Sequence, residues 1–88
     1  MQETQEEVQQ DLERFTADMA YFDDHRDDLL RRYPEQWVAV YNQLVVGANR
    51  QAEQLIMELK RQGIRPGRVY REYLSKNNIL LILAARSR

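Results

Sequence analysis

The stretch RRYPEQWVAVYNQLVVGA, residues 31–48, decides how this chain is read. It holds the only Trp and one of the two Pro. Pro34 stops whatever helix precedes it, because the residue before a proline is pushed out of helical backbone space. Residues 37–41 (WVAVY) are rich in strand formers, and residues 44–47 (LVVG) make a second apolar run. Only Asn42 and Gln43 separate them. A two-residue loop needs positive φ at its centre, and Asn tolerates that better than most residues. The spacing predicts a β-hairpin with Trp37, Ala39 and Tyr41 on one face and Val38 and Val40 on the other.

Upstream, residues 3–32 contain neither Gly nor Pro and are dominated by helix formers. Val8, Leu12, Phe15, Met19 and Phe22 follow one another at spacings of 4, 3, 4 and 3, with Leu29 and Tyr33 beyond a skipped position held by Arg26. This is a heptad-like stripe and predicts one long, coiled-coil-like helix. Acids early and Arg31–Arg32 late suit its dipole. Such a helix would be roughly 45 Å long, against ~17–20 Å for a short strand, so its first turns overhang any small sheet. Either residues 1–10 fray, or the stripe Val8, Leu12, Phe15, Met19, Phe22 meets another chain. The second reading is the expectation taken.

Downstream, Ala52, Leu55, Ile56 and Leu59 fall on one helical stripe, with the helix expected to start at Ala48 or Asn49 and to end at Gln62-Gly63. Pro66-Gly67 marks a turn, residues 69–74 (VYREYL) a third strand and residues 79–83 (ILLIL) a fourth, apolar on both sides and so covered on both. The expected fold is α+β in the order αββαββ, a four-stranded antiparallel sheet with helices packed on it. Residues 1–18 are expected as an N-terminal helical extension and 19–88 as a single α+β domain. Pro34 ends the helix, and Trp37 is expected to anchor that helix to the sheet.

A net charge of −1 conceals an asymmetry. Residues 1–28 hold ten acids against Arg14 and Arg26, or −8; residues 29–88 hold four acids against eleven bases, or +7. Such halves pair internally, with a sister chain, or with a partner that reads one of them. With no Cys, the chain forms neither disulfides nor thiolate metal sites. No apolar run approaches the ~20 residues of a membrane-spanning helix, so no membrane partner is expected and cytoplasm is the expected location.

The segment Leu29, Leu30, Tyr33, Pro34, Trp37, Val38, Ala39, Val40, followed by Val45, Leu55, Leu59 and Gly63, resembles a small prokaryotic family of unknown function with a Tyr-Pro-x-x-Trp-Val-Ala-Val segment. The resemblance covers about residues 19–83. It implies a small αββαββ domain with no known catalytic residues, and a paired, antitoxin-like arrangement. One departure stands out: Glu35-Gln36 occupies the place of the family's usual Gly-Lys, so the turn after Pro34 is expected to differ.

The residues offer little chemistry. His25, the only imidazole, sits among Asp23, Asp24, Asp27 and Asp28, which reads as a solvated helix face rather than a metal site. Ser75 and Ser87 lie in no nucleophile elbow, and Gly47, Gly63 and Gly67 have no phosphate-loop spacing. No enzyme and no cofactor is expected. Lys60, Arg61, Arg65, Arg68 and Arg71, interleaved with Tyr70 and Tyr73, form a candidate basic patch for nucleic acid, opposed by a pI near 5.8 and the acidic helix. The function expected is a non-enzymatic protein–protein interaction or regulatory module, a homodimer held by the acidic helix and the apolar sheet. The alternative is an antitoxin-like or nucleic-acid-binding regulator that uses residues 60–71.

Overall fold

The structure is a computed structural model and describes residues 5–76, with side chains from residue 9 onward. Its elements are α1 (Gln5–Asp24), α2 (Arg26–Arg32), β1 (Gln36–Tyr41), β2 (Leu44–Asn49), α3 (Ala52–Arg61), a 3-10 turn (Pro66–Arg68) and β3 (Tyr70–Leu74). The class is α+β. The sheet has three strands in the order β2-β1-β3, with β1 antiparallel to both neighbours. The four-stranded αββαββ arrangement is therefore not met: the strand expected at residues 79–83 lies outside the described residues.

The expected single helix over residues 3–32 is two helices, jointed at His25. His25 leaves helical backbone space (φ −110, ψ 14). Its ring stacks on Tyr21 at 4.1 Å, and its Nδ1 lies 2.8 Å from the Tyr21 carbonyl. The ladder bond from the His25 N–H to the same Tyr21 carbonyl persists at 3.1 Å, so the joint is a local change of dihedral angles and not a break in the hydrogen bonding. The joint falls where the heptad stripe skips a position.

The hairpin forms as its two-residue loop demands. Asn42 and Gln43 both take positive φ (54 and 58), the backbone of a type I′ turn. The register shifts between Ala39 and Val40, so that Ala39 faces Gly47 while Val40 faces Val45. Val46 is the extra residue of this bulge, and its carbonyl accepts a hydrogen bond from Gln62 Nε2 at 2.8 Å. Beyond the bulge, Ala48 and Asn49 stay paired with Val38 and Trp37. This moves the start of α3 from the expected Ala48 or Asn49 to Ala52. Gly47 lets α3 come close: a Cβ there would stand 2.8 Å from Leu55 Cδ1. Gly63, at φ 78, ends the helix as expected, with the Ile64 N–H bonded to the Leu59 carbonyl at 2.9 Å.

Helices cover both faces of the sheet. On one side Phe22 and Leu29 pack with Val38, Val40 and Leu74. On the other Leu55 and Leu59 pack with Ala39 and Val69. The alternation read from the sequence holds, and β1 is the strand covered on both faces, with Val38, Ala39 and Val40 all at 0% exposure. Trp37 is a correction. It lies on the α3 side beside Tyr73, ring centroids 5.7 Å apart, and does not anchor the N-terminal helix. Tyr33, half-buried, packs on the α1–α2 side instead.

Candidate functional site

Beside Phe22, the other wholly buried side chain of α1 among the described residues is a carboxylate. Asp18 is wholly buried and accepts hydrogen bonds from the backbone N–H groups of Gln43 (2.7 Å) and Asn42 (3.2 Å). A two-residue hairpin leaves those N–H groups outside the strand ladder, and Asp18 supplies their acceptors. Arg14, one turn earlier, lies over the Tyr41 ring at 4.6 Å and pairs with Asp11 at 2.9 Å. The helix is thus docked on the hairpin by polar contacts.

This docking turns the apolar stripe sideways. In a helix each residue advances about 100°, so Met19 stands about 100° and Leu12 about 120° round from Asp18. Of the expected partner stripe, Phe22 is fully buried in the chain's own core and drops out. Phe15 is 37% exposed and meets the Tyr70 ring edge-on at 5.6 Å. Met19 and Leu12 remain 39% and 62% exposed. Val8 precedes the described side chains.

Between this flank and β3 lies a charged cluster. Arg26 pairs with Glu72 and with Asp23, the latter at 2.7 Å, and Tyr70 donates its hydroxyl to Glu72 at 2.7 Å. Burial first, and the hydrogen bond to Glu72 second, push the Tyr70 hydroxyl up to about 12. The Glu72 hydrogen bond drives the Arg26 guanidinium still higher than its ordinary value. Both groups hold one protonation state near neutrality, which suits a structural cross-tie between α2 and β3 and not proton transfer.

Glu35 stands where the resembled family has Gly, and its φ is 55. Glu35 takes this left-handed backbone without the freedom of glycine, and its side chain reaches β3 and the residues just after it. Its carboxylate accepts from the Tyr73 hydroxyl at 3.1 Å and from the Lys76 N–H at 3.3 Å. The contact to Glu35 raises the Tyr73 hydroxyl above its usual value. Pro34 is exposed at the head of this turn.

The basic residues are dispersed rather than gathered. Lys60, Arg61 and Arg65 are exposed around the end of α3. Arg68 reaches Asp11 at 3.6 Å, and Arg71 donates to the Pro66 carbonyl at 2.8 Å. A shallow depression beside Gln36, Asn49, Arg50 and Gln51 sits at the β1–β2 end and lacks a paired acid and base. Among the described residues no cluster of His, Cys, Asp and Glu could hold a metal ion, and no helix is long and apolar enough to cross a membrane. Sequence reasoning missed Asp18 altogether. Its only sign was a lone acid inside the apolar run from Phe15 to Phe22.

No curated protein and no solved structure matches the chain. The model of a family of unknown function (DUF5678) matches residues 28–86. That span takes in α2 from its third residue, the hairpin, α3 and β3 and leaves α1 outside. By this match the chain belongs to that family of unknown function.

Proposed function

We propose that the chain is a non-enzymatic protein-interaction module that self-associates through α1. One observation carries this reading: Leu12 and Met19, two turns apart on one flank, stay exposed on a helix docked by other residues. Large apolar side chains grouped on one exposed flank mark a contact surface more often than a solvated one. The reading rests on α1 rather than on the sheet, since among the described residues helices pack on both of its faces. Light scattering across a dilution series tests the reading. The apparent mass should rise with concentration, and Leu12→Lys should suppress the rise; a concentration-independent monomer contradicts it.

A second reading, a nucleic-acid-binding or antitoxin-like regulator, draws on the exposure of Lys60, Arg61 and Arg65. Salt-dependent retention on heparin supports it, and its absence removes it.

A further inference from the structure

The groups that dock α1 on the sheet lie beyond residue 36. Asp18 holds the N–H groups of Asn42 and Gln43, Arg14 covers the Tyr41 ring, and Phe15 and Phe22 both meet the Tyr70 ring edge-on, at 5.6 and 5.3 Å. The helix is also opposite in charge to the body it sits on. Gln5–Asp24 hold seven acids against Arg14, or −6, and residues 26–76 hold ten bases against six acids, or +4. None of these contacts depends on which chain supplies α1.

The link between α1 and that body is a single residue. His25 leaves helical dihedral angles, yet its N–H still bonds the Tyr21 carbonyl at 3.1 Å and its own carbonyl accepts the Leu29 N–H at 2.8 Å. Neither Gly nor Pro interrupts residues 3–32, so local propensity favours one continuous helix through this point. Returning His25 to helical angles would bring α1 into line with α2 and take it off its own sheet. The sheet would then bare Val38 and Val40, now wholly buried, and leave the two turn N–H groups without their carboxylate. A helix that refills this place needs an acid and, one turn on, a large apolar ring, as Asp18 and Phe22 supply. The α1 of a second copy carries both. Exchange of an identical element between protomers is a low-cost route to a dimer.

We propose that two copies of this chain exchange α1, so that each sheet is covered and each hairpin turn is capped by the α1 of the other copy. The inference rests on the reading that the chain self-associates through α1 and names the surface exchanged. The docking is the same in both arrangements, so Leu12 and Met19 stay outward in either.

The test uses two preparations of the full chain, one carrying carbon-13 in its Tyr rings and the other unlabelled. They are unfolded together in urea and refolded at high concentration, so that mixed dimers form. The expected result is an isotope-filtered nuclear Overhauser contact from the Phe15 and Phe22 rings of the unlabelled chain to the Tyr70 ring of the labelled one. A dimer in which these contacts arise only within single chains overturns the exchange and leaves the module reading standing. Contact between chains that survives in Leu12→Lys/Met19→Lys supports the exchange and contradicts the role of the flank alone. A chain that is monomeric at every concentration overturns both.

Discussion

The carboxylate of Asp18 on α1 accepts the Gln43 N–H at 2.7 Å, so the helix holds shut the turn that joins β1 to β2. The two residues are 25 positions apart, and one of them lies outside the family match. Hydrogen bonds to a charged acceptor contribute about 1.5–3 kcal/mol each, and a buried N–H left unmet costs a comparable amount. Asp18→Ala is expected to lower stability by about 2–4 kcal/mol in urea unfolding. A loss below about 1 kcal/mol would show that water satisfies the turn equally well.

Gln43 takes positive φ without the freedom of glycine. Left-handed backbone costs an ordinary residue about 1–2 kcal/mol, and Asn-Gly is the favoured sequence for this turn. Gln43→Gly should therefore stabilise the protein by about 1 kcal/mol, because the bond from its N–H to Asp18 does not depend on the side chain. An unchanged or lower thermal midpoint would mean that the turn carries no strain to relieve.

Gly47 is under a different constraint. A Cβ at this position meets Leu55 Cδ1 at 2.8 Å, and Leu55 is fully buried. Gly47→Ala forces α3 off the sheet or Leu55 off its rotamer, at a cost of about 1–3 kcal/mol. Gly63→Ala, with nothing within 4 Å, should cost only the backbone term of about 1 kcal/mol. Denaturant unfolding of the two variants separates crowding from conformation, and equal costs would contradict the crowding.

Burial and the hydrogen bond to Glu72 push the Tyr70 hydroxyl up to about 12, above the ordinary 10 of the unfolded chain. A group whose pKa is raised by folding adds stability that is whole below pH 10 and fades as pH climbs through 12. Tyr70→Phe keeps the ring packed on Phe15 and Phe22 but removes the donor to Glu72. The wild-type advantage over this variant, followed by urea midpoints, should hold up to pH 10 and shrink above it. A constant difference up to pH 12 would dissociate Tyr70 from that fading.

Much of the fold was legible because local chemistry and tertiary structure agree. Asn42-Gln43 demanded a tight turn, Pro34 and Gly63 ended helices, and alternation assigned the faces of β1 correctly. The failures have specific causes. β2 continues past Gly47 through a bulge at Val46, whose carbonyl accepts a hydrogen bond from Gln62 sixteen residues away, and propensity does not register such a bulge. The joint at His25 was hidden because one residue leaves helical dihedral angles while its ladder bond to the Tyr21 carbonyl is retained, a change that propensity does not register. The stripe on α1 was legible as a pattern, but the sequence did not separate Phe22, which is buried, from Leu12 and Met19, which are exposed. Periodicity locates an apolar face, but Asp18, bound to a turn 25 residues away, decides which side meets the sheet. Glu35 at positive φ was flagged only through the glycine of the resembled family, and its partners on and after β3 were beyond sequence reach.

The central claim is that docking through Asp18 leaves Leu12 and Met19 outward for a second copy. Sedimentation equilibrium of the wild type and of the Leu12→Lys/Met19→Lys variant tests it most directly. The account predicts a monomer–dimer equilibrium for the wild type and a monomer at every concentration for the variant, with the folded far-ultraviolet spectrum unchanged. A wild type that is monomeric throughout, or a folded variant that dimerises as well as the wild type, would contradict it.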